Sequence, residues 1–78
     1  APIVTELHSR AEEIRNLELQ KLIRRFPELT PEQLKGVEIL TSSIANKLMH
    51  EPTARLKDAA GTPRGERLSE AMQDLFDL

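Results

Sequence analysis

Apolar residues recur along this chain at the three- and four-residue steps of a helix. In the first segment Ile3, Leu7, Ala11, Ile14 and Leu22 stack on one stripe. Leu19, Ile23 and Phe26 lie to one side of that stripe and Leu17 to the other. This apolar surface is wider than one partner helix requires, so the segment is expected to touch several neighbours. Pro27 ends it, because the residue before a proline is pushed out of the helical region.

The next start is well marked. Thr30 can cap a helix, Pro31 suits its first position, and Gln33 completes a capping box with Thr30. Leu29 and Leu34 stand where a hydrophobic staple would put them. The second helix is expected from Pro31 to about His50, with Leu34, Val37, Leu40, Ile44 and Leu48 as its main stripe. Thr41 and Ala45 are small enough for close approach, while Gly36 costs about 1 kcal/mol relative to alanine with nothing visible to offset it. Pro52 predicts a break or bend, followed by a short helix over 53–60 that carries Leu56. Residues 61–65 read as a linker, and Leu68, Met72 and Leu75, with Ala71 and Phe76, define a tail helix over 66–78. Nothing alternates with the period of a strand. The expected fold is all-α, a small helical bundle of two long helices plus one or two short ones.

Size changes the picture. A chain of 78 residues makes one thin domain, burying about 60% of its unfolded surface, and such a core rarely supplies more than about 3–5 kcal/mol. There is no cysteine, so neither disulfides nor thiolate zinc sites can help. Oligomerisation is the remedy left. Eleven basic residues against 13 acidic ones give a formal charge of -2, which argues against a dedicated nucleic-acid or membrane-surface binder. Two Phe, with no Trp or Tyr, leave no stacking platforms for single strands. No apolar run approaches the length of a membrane span. The opening Ala1-Pro2, in place of Met, suggests a piece of a longer protein.

Few residues invite chemistry. His8 and Glu12 share a helix face, yet a metal needs more ligands than these two. His50, in the last turn expected for the second helix, can donate to its free carbonyls. Glu18 falls in the first apolar stripe between Ile14 and Leu22. It is either a catalytic acid or, more simply, a carboxylate that finds a cation, a donor or an exposed edge. Lys47 is a phosphate contact or a solvated lysine; Asn46, one residue off the Leu48 stripe, is placed to fix register through a hydrogen bond. Arg10, Arg15, Lys21, Arg24 and Arg25 are interleaved with Glu6, Glu12, Glu13 and Glu18, with Glu6–Arg10 and Glu18–Lys21 at pairing distance. Only Lys21, Arg24 and Arg25 stand locally unopposed. No phosphate loop, nucleophile triad or paired-carboxylate site is present, and no catalytic, cofactor-binding or metal-binding residue is assigned.

Pro2-Ile3, Leu7, Ala11-Glu12-Glu13-Ile14-Arg15 and Glu18-Leu19 open a pattern that continues with Leu40-Thr41, Ile44, Asn46-Lys47-Leu48-Met49-His50, Pro52-Thr53 and Leu56-Lys57. Over roughly 2–58 it resembles the C-terminal dimerisation domain of glutamyl-tRNA reductase. The Asn46-to-Pro52 string carries most of the specificity; Met49 stands where leucine is commoner and Lys57 where arginine is. The 66–78 helix is similar to the variable tail of many members. The resemblance implies a division into a dimerisation domain over 1–60, a linker over 61–65 and the tail. It also implies a homodimer, V-shaped in the parent enzyme, and a start at or just after the parent's linking helix. The parent would use NADPH to reduce the glutamyl group on tRNA to glutamate-1-semialdehyde in tetrapyrrole synthesis. Its catalytic cysteine, its nicotinamide site and its tRNA contacts would lie outside this segment, which itself carries no cofactor. A cytoplasmic location follows, or plastid stroma for a plant protein.

A two-fold dimer needs a self-complementary surface. Leu7, Ile14, Leu22, Val37, Leu40, Ile44 and Leu48 are expected to be shared between core and interface, and periodicity alone does not divide them. An obligate interface would exceed about 2,000 Å² in total. Two other classes compete: a monomeric helical adaptor that binds a different protein, and a small RNA-binding hairpin using Lys21, Arg24 and Arg25.

Overall fold

The structure is a computed structural model that describes residues 2–78; Ala1, part of the opening that suggests a longer parent, lies outside the described residues. Three helices, α1 (Ile3–Arg25), α2 (Pro31–Asp58) and α3 (Pro63–Phe76), account for the fold, with no strand among the described residues. The all-α expectation holds.

α1 starts without a side-chain cap, the Glu6 N–H donating to the Pro2 carbonyl at 3.2 Å. It closes with the Phe26 N–H donating to the Leu22 carbonyl at 2.8 Å. Arg24 and Arg25 fall in the last turn, where cations oppose the negative end of the helix dipole. The capping box at the start of α2 is complete. The Gln33 N–H donates to Thr30 Oγ1 at 3.1 Å, and the Thr30 N–H donates to Gln33 Oε1 at 3.0 Å.

The end of α2 departs from expectation. The helix does not stop near His50 or divide at Pro52; it runs unbroken to Asp58. Pro52 removes one N–H, the one that would meet the Leu48 carbonyl. Downstream packing holds the helix on: Leu56 and Ala59 are two of the four buried apolar residues among the described residues. His50 therefore sits mid-helix and exposed, away from any terminal carbonyls.

The expected linker is also shorter than residues 61–65. Gly61, at φ +78°, makes the turn, in a backbone region that side chains disfavour. Thr62 then caps α3: its Oγ1 accepts from the Gly65 N–H at 3.0 Å while its hydroxyl donates to the Ala59 carbonyl at 2.5 Å. Pro63 to Gly65 form the first turn of α3. Gly65 is buried because that turn lies directly on the Ala59 carbonyl, leaving no room for a Cβ.

At 1.5 Å per residue, α1 and α2 span about 35 and 42 Å, and α3 only about 21 Å. α1 and α2 form an antiparallel hairpin, tied by Arg15 to Glu38 and Thr41 and by His8 to Thr53. α3 folds back along the C-terminal half of α2. The molecule is thus a three-helix bundle at one end and a bare two-helix hairpin at the other. Its extents are 52 × 20 × 16 Å and its radius of gyration is 15.7 Å, against about 11.5 Å for a compact chain of this length. The core is correspondingly small: Leu7, Leu19, Leu56 and Ala59.

Candidate interaction surface

Where α3 ends, the hairpin keeps an open groove of about 320 Å³. Leu7, Ala11 and Ile14 of α1 form one wall, Ile44, Ala45, Leu48 and Met49 of α2 the other, and the Phe76 ring closes one end. The seven residues expected to be shared between core and interface separate here. Leu7 is 1% exposed and belongs to the core; Leu22 and Val37 are half-buried. Ile14, Leu40, Ile44 and Leu48 are 54%, 58%, 51% and 66% exposed. These last four are bare leucine and isoleucine side chains on one side of a folded hairpin. Leu17, whose position beside the stripe is visible in the sequence, is exposed as well.

The total surface tells the same story. Accessible area scales with mass, and an 8.8 kDa monomer should expose about 4,800 Å². This chain exposes 6075 Å², about 1,300 Å² more than that scaling allows.

Polar groups around the groove are tied within the chain. Arg15 is largely buried and bridges the helices: it pairs with Glu12 and donates to Thr41 Oγ1 and to the Glu38 carbonyl, both at 3.4 Å. The hydrogen bond from Arg15 holds the Glu12 carboxyl below its ordinary pKa, against the opposing effect of desolvation, with the charge of Arg15 adding to the lowering. The same bond raises Arg15, again against desolvation. Arg10, expected to pair with Glu6, instead reaches α3 and donates to the Phe76 and Asp77 carbonyls at 3.4 Å. Residue spacing gives no hint of this contact, because it joins positions 66 residues apart.

Glu18 resolves simply. It lies at the exposed edge of the groove and pairs with Lys21 at 2.9 Å. Among the described residues no second acid lines the groove with it. Lys21 is thus engaged, while Arg24 and Arg25 have no acidic partner among the described residues, the Arg25 guanidinium lying 5.7 Å from the centre of the Phe26 ring. His8 Nε2 lies 3.2 Å from Thr53 Oγ1, and Glu12 is committed to Arg15. Among the described residues no three His, Cys, Asp or Glu side chains converge as a metal site. Asn46 faces the opposite side of α2, exposed beside Ile39 and Ser43, and makes no side-chain hydrogen bond among the described residues. Its expected register role finds no partner among the described residues.

The family model described as "Glutamyl-tRNAGlu reductase, dimerisation domain" matches residues 1–78. The chain belongs to this glutamyl-tRNA reductase dimerisation-domain family. The match extends through α3, beyond the 2–58 stretch that carries the sequence resemblance. Relatives named glutamyl-tRNA reductase come from Chloroflexus aggregans and Chloroflexus aurantiacus, each 46% identical over 77 residues. Another, from Geobacter sulfurreducens, is 39% identical over 77 residues. Each alignment covers 99% of this chain but only 17–18% of the relative. The chain therefore spans about a sixth of the length of these curated relatives. No solved structure matches it. No described helix is long and apolar enough to cross a membrane.

Proposed function

We propose that this chain is the homodimerisation module of a glutamyl-tRNA reductase, and that the bare half of the α1–α2 hairpin closes against the same half of a second copy. The supporting observation is the excess of exposed apolar surface, centred on Ile14, Leu40, Ile44 and Leu48. Were the excess of both copies buried together, the interface would cover about 2,600 Å², within the range of obligate dimers, roughly 2,000–5,000 Å². Leu7 then serves the core of each copy, Leu22 and Val37 lie at the border, and the four exposed residues cross between copies.

The chemistry of the longer protein is carried elsewhere. This chain has no phosphate-cradling loop: Gly36 is mid-helix, Gly61 makes a turn and Gly65 packs against a carbonyl. NADPH, the glutamyl-tRNA substrate and the reducing step that feeds tetrapyrrole synthesis would belong to regions outside these residues, in a cytoplasmic enzyme. The module's contribution is to hold two such enzymes together.

Sedimentation equilibrium tests the proposal directly. The chain should sediment at twice its 8.8 kDa mass at tens of micromolar, and Ile44→Asp, which places an unpaired charge in the contact, should shift it to monomer. A concentration-independent monomer would leave the adaptor reading standing instead. A mass unchanged by Ile44→Asp would show that the face is misassigned.

A further inference from the structure

We infer that α3 is a strap, seated at its start on Ala59 and latched at its end by Arg10, that releases from the latched end while the α1–α2 hairpin stays folded. Seat, strap and latch all lie within one chain. Three observations carry it. First, α3 is thinly packed along its length. Leu7, Leu19, Leu56 and Ala59, the buried apolar residues among those described, all precede it. Of its own residues only Gly65 is buried, while Leu68, Ser69 and Met72 are half-buried. An open cleft of about 550 Å³ lies between α3 and the start of α1, with Ile3, Val4 and Leu56 on one side and Glu66, Ser69 and Gln73 on the other. The α3 side of that cleft is polar, so the strap gains little from apolar burial there.

Second, the two ends of α3 are unequal. Its start is capped by Thr62 and sits directly on the Ala59 carbonyl. Its end has no basic residue in the last turn, and Asp74 and Asp77 add negative charge where the helix dipole is already negative. Asp77, at φ +54°, also takes a left-handed backbone that favours glycine. Third, what the end lacks is supplied from α1. Arg10 donates to the Phe76 and Asp77 carbonyls, two of the acceptors that a helix end leaves unpaired. Among the described residues no ion pair joins α3 to the hairpin, and these are the only side-chain hydrogen bonds that do. A free helix of 14 residues is marginal in water, so an end that leaves the hairpin also unwinds. Release carries the Phe76 ring away from the groove between Ile14, Ile44 and Leu48. The groove therefore has a closed and an open form, and Arg10 sets the balance between them.

Amide hydrogen exchange of the 78-residue chain, at one chain concentration and corrected for intrinsic rates, tests this. Amides 69–76 of α3 should exchange together, faster than amides 12–19 of α1 by about tenfold or more. Arg10→Gln removes the latch and should speed the α3 set by about three- to tenfold, leaving the α1 set within about twofold. The α1 set thus reports in the same experiment that the variant is folded. Arg24→Gln, the same loss of charge in the last turn of α1, should leave both sets within about twofold. An α3 set as protected as the α1 set in the wild type refutes the strap. Equal speeding of both sets by Arg10→Gln refutes separate release. No speeding of α3, or the same speeding by Arg24→Gln, refutes the latch.

Discussion

Gly65→Ala should destabilise this protein, whereas Gly36→Ala, the same change elsewhere, should stabilise it. Gly65 lies in the first turn of α3, against the last turn of α2. A Cβ there would overlap the Ala59 carbonyl oxygen and stand 2.8 Å from its carbon and 3.4 Å from the Ala60 nitrogen. All three atoms are backbone, so no rotamer change relieves the clash. The Ala59 carbonyl cannot simply swing away, because it accepts from the Thr62 hydroxyl at 2.5 Å and from the Thr62 N–H at 3.1 Å. α3 must withdraw by roughly 1 Å to restore van der Waals separation. Overpacking of this kind costs about 1–3 kcal/mol, against a gain of at most about 1 kcal/mol for replacing a helical glycine. Taking the full gain, the net loss should be up to about 2 kcal/mol, towards the upper end because every clashing atom is backbone.

At Gly36 an added Cβ would meet no atom within 4 Å, so only the helix-propensity gain remains there, about 0.5–1 kcal/mol. Urea unfolding followed by circular dichroism, at matched chain concentration, reads both changes as shifts in midpoint at constant slope. A Gly65→Ala chain as stable as wild type would mean that α3 is not seated on the Ala59 carbonyl. The packing argument would then fail at its base.

Pro52→Ala restores a donor for the Leu48 carbonyl and should raise stability by about 1–3 kcal/mol in the same assay, less the packing of the lost ring; a decrease would mean that the proline ring is a core contact. Glu12 predicts a pH effect. Its folded pKa is lowered by Arg15, so its stabilisation is present above the ordinary carboxylate pKa and is lost as pH falls through the lowered value. Glu12→Gln should therefore flatten the acid limb of the stability profile, and an unchanged limb would show that the pair contributes nothing.

Much of this architecture is legible from spacing, and the errors have physical causes. The Thr30-Pro31-Gln33 start of α2 is local chemistry, and each hydrogen bond it implies is made. The Thr62-Pro63 pair carries the same signal for α3, but the two glycines that flank it read equally well as a linker. Pro52 misleads because its cost is local while the burial of Leu56 and Ala59 that outweighs it comes from the fold. The stripe positions in α1 and α2 are readable as apolar, yet periodicity does not count how many neighbours a stripe will have. That number follows from the length of α3, about 21 Å, which covers only half of the hairpin. Arg10 and Arg15 have the spacing of solvated helix cations; their carbonyl partners lie far away in sequence.

The charges around the bare face bear on what can cover it. An isologous contact sets a patch against its own copy, so a patch of one sign would repel itself. Here Glu18 pairs with Lys21 at 2.9 Å, and Glu51 with Arg55 at 3.8 Å on the turn that follows Leu48. These two pairs are matched within each chain, while Arg10 on the groove wall is held by backbone carbonyls. A second copy therefore meets paired charges at Glu18–Lys21 and Glu51–Arg55, with leucine and isoleucine side chains between them. Of the three basic residues that an RNA backbone could use, Lys21 is engaged by Glu18, which leaves Arg24 and Arg25 at the end of α1. On the proposed dimer, these paired charges lower the electrostatic cost of setting the face against its own copy, and the exposed side chains of Ile14, Leu40, Ile44 and Leu48 would supply the driving force.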